Sequence, residues 1–286
     1  MLKPQVDEQF GMKLPTYLML GHMLVSCRVW ASDWGYTEEN GPKTWKKDYP
    51  IAVTGRRQSP INIVSRKAEY DSDLKPLNIE YLPEDEVKLK NNGHTIDIQI
   101  TQPGFLTGGP VGNQQFRLAQ FHLHWGADDT RGSEHTIDGE AFAAELHIVH
   151  WNTTYGSFAA AVDKSDGLAV LGIMIESGDV HPGFSVVSDN LDGLIQPGST
   201  DTISSSLDPT DLLPDNIDDY WTYEGSVPIP PLYESVRWIV FKEPVEFSHD
   251  QLNALRSLID SDGNPMQDNF RPPQPRKGRQ VKASFQ

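Results

Sequence analysis

The sequence predicts a mainly β (α+β) protein built on one large sheet. Short runs in which apolar and polar residues alternate recur along the chain, clusters of Gly, Pro and Asp separate them, and helical periodicity is sparse. With 286 residues, 37% of them hydrophobic, the chain can bury one sizeable core. No low-complexity linker interrupts the patterned part, so one domain is expected over residues 32–286. Residues 1–31 read as an N-terminal extension or a possible signal segment.

In chain order, Gly41-Pro42 and Ser59-Pro60 punctuate an irregular opening from Trp34 onward. Period-2 alternation then predicts strands over 77–81, 87–89, 95–100, 116–125, 141–151 and 168–176. Turn clusters at 107–110 and 128–132 separate several of them. One helix is expected over 185–194. A second is expected after Ser248, whose hydroxyl suits an N-cap ahead of Leu252, Leu255 and Leu258.

A net charge of -16 and a pI near 4.9 argue against nucleic acid and anionic membranes as partners. The basic run Arg276-Lys277-Gly278-Arg279 is too short to alter that and reads as solvated. No apolar run reaches the 18 residues of a spanning helix. The lone Cys27 excludes an internal disulfide and favours the cytoplasm. The alternative is secretion, if residues 12–31 act as a signal peptide. That stretch is uncharged from Leu14 to Cys27 and ends in a cleavage-like Val29-Trp30-Ala31, but Pro15 and His22 interrupt it. Asn152-Thr153-Thr154 is a glycosylation sequon.

The chemistry concentrates in Gln120-Phe121-His122-Leu123-His124-Trp125 and Glu145-Leu146-His147-Ile148-Val149-His150. Successive strand residues face opposite ways, so His122 and His124 share one face. Glu145, His147 and Val149 share a face of the second segment, and His150 points away. Were the segments neighbours in one sheet, three imidazoles would converge. A lone His-x-His is a weak metal signal; a third histidine with a carboxylate two residues before it is stronger, because metal-bound imidazoles need an acceptor on the far nitrogen.

These segments sit among others that carry a resemblance: Trp34-Gly35-Tyr36, Asn40-Gly41-Pro42, Arg57-Gln58-Ser59-Pro60-Ile61-Asn62-Ile63, Asn91-Asn92-Gly93-His94, Gly132-Ser133-Glu134-His135-Thr136, Gly167-Leu168-Ala169-Val170-Leu171-Gly172, Asp219-Tyr220-Trp221-Thr222-Tyr223 and Asp268-Asn269-Phe270-Arg271-Pro272. In order and spacing, from about Trp34 to the last residue, the chain resembles the α-class carbonic anhydrases. That resemblance implies a central, mostly antiparallel twisted sheet with short peripheral helices and a C-terminal segment threaded through a loop. It implies Zn2+ on His122, His124 and His147, with Gln120, the Asn269 carbonyl and Glu145 orienting the three rings. Three histidines and an open fourth position form the known catalytic zinc site of carbonic anhydrase, where bound water has a pKa of about 7.

By the same resemblance, Glu134 and Tyr36 belong to the catalytic set, and His94 is the proton shuttle, with Tyr36, Asn92 and Asp97 ordering the water between; Asp97 stands in place of the usual amide. Val149, Val170, Val227, Val236 and Trp238 match the dry wall beside the substrate, carbon dioxide or bicarbonate, and Phe158 matches its rim. Read without the family, the wall residues are plain core. His135 and His150 read as buried structural histidines, and His181 and His249 as surface residues. Sulfonamide and anion inhibitors are expected to bind, and a monomer is expected.

One loop breaks the pattern. Where the family reads Gly-Ser-Leu-Thr-Thr-Pro-Pro, this chain has Gly225-Ser226-Val227-Pro228-Ile229-Pro230-Pro231. Pro228 replaces the threonine whose hydroxyl links the reacting solvent to the glutamate, here Glu134. Proline offers neither hydroxyl nor N–H, and Ile229 replaces a second hydroxyl beside the substrate. The expectation is carbon dioxide hydration at a reduced rate; the alternatives are a carbonic-anhydrase-related zinc protein acting as a binding module, or an acidic mineral-matrix protein, which would carry long acidic repeats that this chain lacks.

Overall fold

A computed structural model describes residues 34–286; the expectations for residues 1–31, Cys27 among them, lie outside the described residues. One 13-stranded sheet dominates. Its main path runs Thr200–Ile203, Val87–Asn91, Ile96–Gln99, Gly112–Trp125, Ala144–Asn152, Leu168–Ser177, Val236–Phe241, Tyr220–Gly225, Lys282–Ala283, Glu69–Tyr70. Most pairings are antiparallel; Leu168–Ser177 with Val236–Phe241 is the longest parallel one. The helices are short, from four to eight residues in α form. The mainly β class, the large sheet and the small peripheral helices therefore hold.

The Gly112–Trp125 strand shows how sequence sets the faces. Phe116 and Leu118 bury at even positions, whereas Phe121, Leu123 and Trp125 bury at odd ones, all in one core cluster. A bulge between Leu118 and Gln120 absorbs the change of parity. Beyond it, apolar residues keep the core face while His122 and His124 turn to the opposite face. The neighbouring strands divide likewise: Leu146, Ile148, Leu171 and Ile173 join that first cluster, and Val149, Val170 and Trp238 join a second. Burying each such large side chain contributes about 1.5–3 kcal/mol.

Several strands are longer or shorter than alternation predicts. The 141–151 run pairs only from Ala144 on, because residues 141–143 belong to the turn closing on Ser133. Every strand after residue 177 escaped prediction; Val236–Phe241 is buried on both faces and so does not alternate. The helix expected over 185–194 is two pieces, Pro182–Ser188 and a 3-10 turn Leu191–Leu194, separated at Asp189-Asn190. His181 is half-buried, and its Nδ1 accepts from the Phe184 N–H at 3.2 Å, so it is the N-cap of that helix and not a surface residue. Ser248 caps His249–Arg256 in a reciprocal box with Gln251, as its position predicts. The sequon asparagine, Asn152, is 1% exposed and bonds Thr154 and Asp166, which leaves no room for a glycan.

Candidate metal centre

His122 and His147 are register partners on adjacent antiparallel strands, and His124 lies two residues farther along the first. The ring centroids are 5.2, 5.2 and 4.7 Å apart, and one nitrogen from each ring lies within 4.8 Å of the others. Each remaining nitrogen is tied down: His122 Nδ1 to Gln120 Oε1 at 3.0 Å, His124 Nδ1 to the Asn269 carbonyl at 2.7 Å, and His147 Nε2 to Glu145 Oε1 at 2.8 Å. His122 Nε2, His124 Nε2 and His147 Nδ1 are left facing one another. His124 Nε2 is buried with no hydrogen-bond partner among the described residues, and buried nitrogens are seldom left so.

Burial first, then neighbouring imidazoles, keeps these rings neutral. His124 is drawn down to about 3, His122 lies well below its ordinary value, and His147 is lowered by burial despite Glu145 beside it. A neutral imidazole is the metal-binding form. Three such donors with one side open suit zinc, so the residues fit the ion the resemblance implies.

Glu145 is the hub behind the rings. Its carboxylate accepts from the main-chain N–H of Glu134 and His135 at 2.8 and 2.7 Å, and meets the rings of His135 and His147 at 2.7 and 2.8 Å. Burial alone would raise its pKa, but His135 and His147 hold it well below the usual range. His135 continues to the Tyr223 hydroxyl at 2.6 Å, and Tyr223 to Ser59 Oγ at 2.9 Å. His135, Glu145 and His147 also cluster closely enough to ligate, but their atoms are engaged with one another. His150, buried, bridges the Tyr81 hydroxyl and the Ala169 carbonyl. Both histidines are structural, and His249 is exposed beside Asp129, as the sequence reading has them.

Val170 faces Val149 on one side and Trp238 on the other in register, and the Trp238 ring lies 4.8 Å from that of His147. Val236 is buried in the same cluster and Val227 packs against it; Pro228 is buried, Ile229 half-buried, and Phe158 exposed. Glu134 is fully buried. Its Oε1 accepts from the Arg271 N–H at 2.9 Å, and its Oε2 has no partner among the described residues. Burial, reinforced by Glu145, raises its pKa well above the carboxylate range.

His94 is half-buried and stacks on Trp34, centroids 3.8 Å apart and planes 13° from parallel. Gly93, at φ +86°, makes the turn before it. Asn92 Oδ1 accepts from the N–H groups of His94 and Thr95, and its amide donates to Asp97 at 2.9 Å. Asp97 is the register partner of His122, which brings this corner beside the ligand strand. Burial, then Glu134, pushes the Tyr36 hydroxyl well above its ordinary value. Two links escaped sequence reasoning. Besides the carbonyl that accepts from His124, which was expected, Asn269 donates its side-chain amide to the His94 carbonyl at 2.9 Å, which was not. Trp34, quoted only as part of a motif, is the platform under His94.

The model of the eukaryotic-type carbonic anhydrase family matches residues 40–285. Carbonic anhydrase 1 of Mus musculus is 44% identical over 263 residues, which cover 89% of this chain and 99% of that protein. The chain belongs to the eukaryotic-type carbonic anhydrase family.

Proposed function

We propose that this protein catalyses the reversible hydration of carbon dioxide, CO2 + H2O giving bicarbonate and a proton, at a zinc ion held by His122, His124 and His147. The observation that carries the reading is the buried, partnerless Nε2 of His124 turned toward two further imidazole nitrogens. Bound there, zinc supplies Lewis-acid activation of water, which makes hydroxide available near neutral pH.

The chain's own residues do the rest. Gln120, Asn269 and Glu145 fix which nitrogen of each ring faces the ion. Val149, Val170, Val227 and Trp238, with Pro228 and Ile229 at the loop, give the substrate an apolar wall. His94 takes the released proton outward past Tyr36, Asn92 and Asp97. Glu134 is the acceptor that steers the reacting solvent, and Pro228 leaves it without the hydroxyl link, so turnover is reduced. The domain that does this spans 32–286, and a single cysteine favours a cytoplasmic setting; no helix among the described residues is long and apolar enough to cross a membrane.

A second reading, a zinc-retaining binding module with little catalysis, is favoured by one observation, the partnerless Oε2 of Glu134. Zinc per chain and carbon dioxide hydration, each measured with and without a sulfonamide, separate the two. One zinc and sulfonamide-sensitive hydration are expected. One zinc without hydration above buffer moves the assignment to the binding module, and absence of zinc removes both.

A further inference from the structure

The loop that carries Pro228 is tied at both ends to one short segment, Arg57-Gln58-Ser59. At its start, the Ser59 N–H donates to Ser226 Oγ at 2.9 Å and the Ser226 N–H to Ser59 Oγ at 3.0 Å. At its end, the Gln58 amide donates to the Leu232 carbonyl at 3.2 Å and to Glu234 Oε1 at 3.1 Å. The Arg57 N–H reaches the same carboxylate oxygen at 2.7 Å. Within the loop, the N–H groups of Val227 and Leu232 donate to the Tyr233 and Ile229 carbonyls. The loop is thus closed on itself, and residues 57–59 set where it sits.

That segment is held in turn by Arg271. Its Nη1 donates to Gln58 Oε1 at 2.9 Å and to the Ser59 carbonyl at 2.8 Å, while its main-chain N–H donates to Glu134 Oε1 at 2.9 Å. Arg271, Gln58, Ser59 and Glu134 are each no more than 3% exposed, so bulk water does not replace a donor lost here. Among the described residues no hydrogen bond joins Glu134 to the loop directly, and proline at 228 has no hydroxyl or N–H to make one. A continuous chain of bonds instead runs from Glu134 through Arg271 and Gln58 to Leu232.

We propose that Arg271 and Gln58 are positioning residues, which fix the Pro228 loop against Glu134 in place of the hydroxyl link that proline breaks. On the carbon dioxide reading above, on which this role rests, neither side chain touches the substrate. Both act through the loop, whose Val227, Pro228 and Ile229 belong to the proposed wall. Two ties between the same parts share their load, so their removal is not additive. The brace therefore carries most while residue 228 is proline, and less once a threonine there reaches Glu134.

The test compares the full zinc-loaded chain with Gln58→Met, Arg271→Lys, Pro228→Thr and the Gln58→Met/Pro228→Thr pair. Gln58→Met keeps the side chain's bulk and loses its amide; Arg271→Lys keeps the charge and loses the fork. If Gln58→Met fails to fold, Gln58→Asn, too short to span the gap, takes its place. In Gln58→Met and Arg271→Lys the amides of Val227 and Leu232 should exchange with solvent faster than in the parent, with those of the central strand unchanged. In both, kcat/KM should fall about tenfold, within the roughly 10² that a misplaced positioning element costs. Their kcat in dilute buffer, where proton release sets the rate, should stay the same, whereas a partly unfolded variant loses both in proportion. In the Pro228→Thr background the loss from Gln58→Met should shrink to about threefold or less. Unchanged exchange at Val227 and Leu232 in both variants overturns the brace, whether or not the parent hydrates carbon dioxide. Equal losses in the two backgrounds, or faster exchange with kcat/KM unchanged, leave Arg271 and Gln58 a structural role only and overturn the positioning one. Should the parent show no hydration, the carbon dioxide reading fails by itself, and sulfonamide affinity, expected to weaken about tenfold in Gln58→Met, decides in place of kcat/KM.

Discussion

Glu134 Oε2 and His124 Nε2 lie 3.7 Å apart, both buried, and neither has a hydrogen-bond partner among the described residues. A carboxyl oxygen and an imidazole nitrogen without partners side by side are where the proposed reading puts a hydroxyl and an ion. Pro228 cannot supply the hydroxyl.

Restoring it should therefore speed the reaction. Pro228→Thr is expected to raise kcat/KM for carbon dioxide by tenfold or more, since loss of one preorganised hydrogen-bonding group costs on the order of 10²–10³ in rate in other enzymes. Stopped-flow hydration measures it. A rate equal to or below that of the parent chain would show that the loop has adapted around proline.

With His94 as the proposed shuttle, His94→Ala should lower kcat most in dilute buffer and leave kcat/KM nearly unchanged, because a shuttle acts after bond formation. A loss on the order of 10² suits removal of a positioned acid–base group. Added imidazole should restore the rate. If the variant turns over like the parent at every buffer concentration, the proton leaves by another route.

Glu145→Gln should weaken zinc binding by about 10–100-fold, the usual cost of removing a partner that orients a ligand. Four hydrogen bonds converge on this carboxylate, and an amide cannot accept them all. Competition against a chromogenic chelator reads the affinity; an unchanged constant would mean that the strand alone holds His147.

Acid should destabilise the protein through His150. Burial draws this ring down to about 4 from an ordinary value near 6.5. Between those values the unfolded chain takes up a proton that the folded one does not, so stability is full above about pH 6.5 and falls as pH drops toward 4. The group's share of the loss is about 3 kcal/mol. His150→Gln should flatten that part of the curve, read as the difference between urea midpoints at pH 7.5 and 4.5. An identical slope would assign the acid sensitivity to other groups.

What could be read in advance divides along physical lines. Alternation around His122 and His124, and Glu145 two residues before His147, were visible because strand geometry maps sequence parity directly onto faces. Phe116 and Leu118 against Phe121 and Leu123 even record the bulge, as a change of parity that went unused. The Trp34–His94 stack, the Tyr223–Ser59 link and the double role of Asn269 join residues far apart in the chain, and no local pattern encodes them. Buried strands such as Val236–Phe241 lack alternation altogether. The wall proposed for Val149, Val170 and Trp238 rests on family likeness alone, since a wall and a core use the same residues.

Asn269 accepts from His124 across a separation of 145 residues. The His124 ring consequently lacks this acceptor until residue 269 has been added, long after its own strand has left the ribosome. On the zinc reading proposed above, tight capture of the ion follows closure of the whole domain and does not guide its early stages, so a nascent chain halted before residue 269 should emerge with the three histidines but only a loose grip on metal.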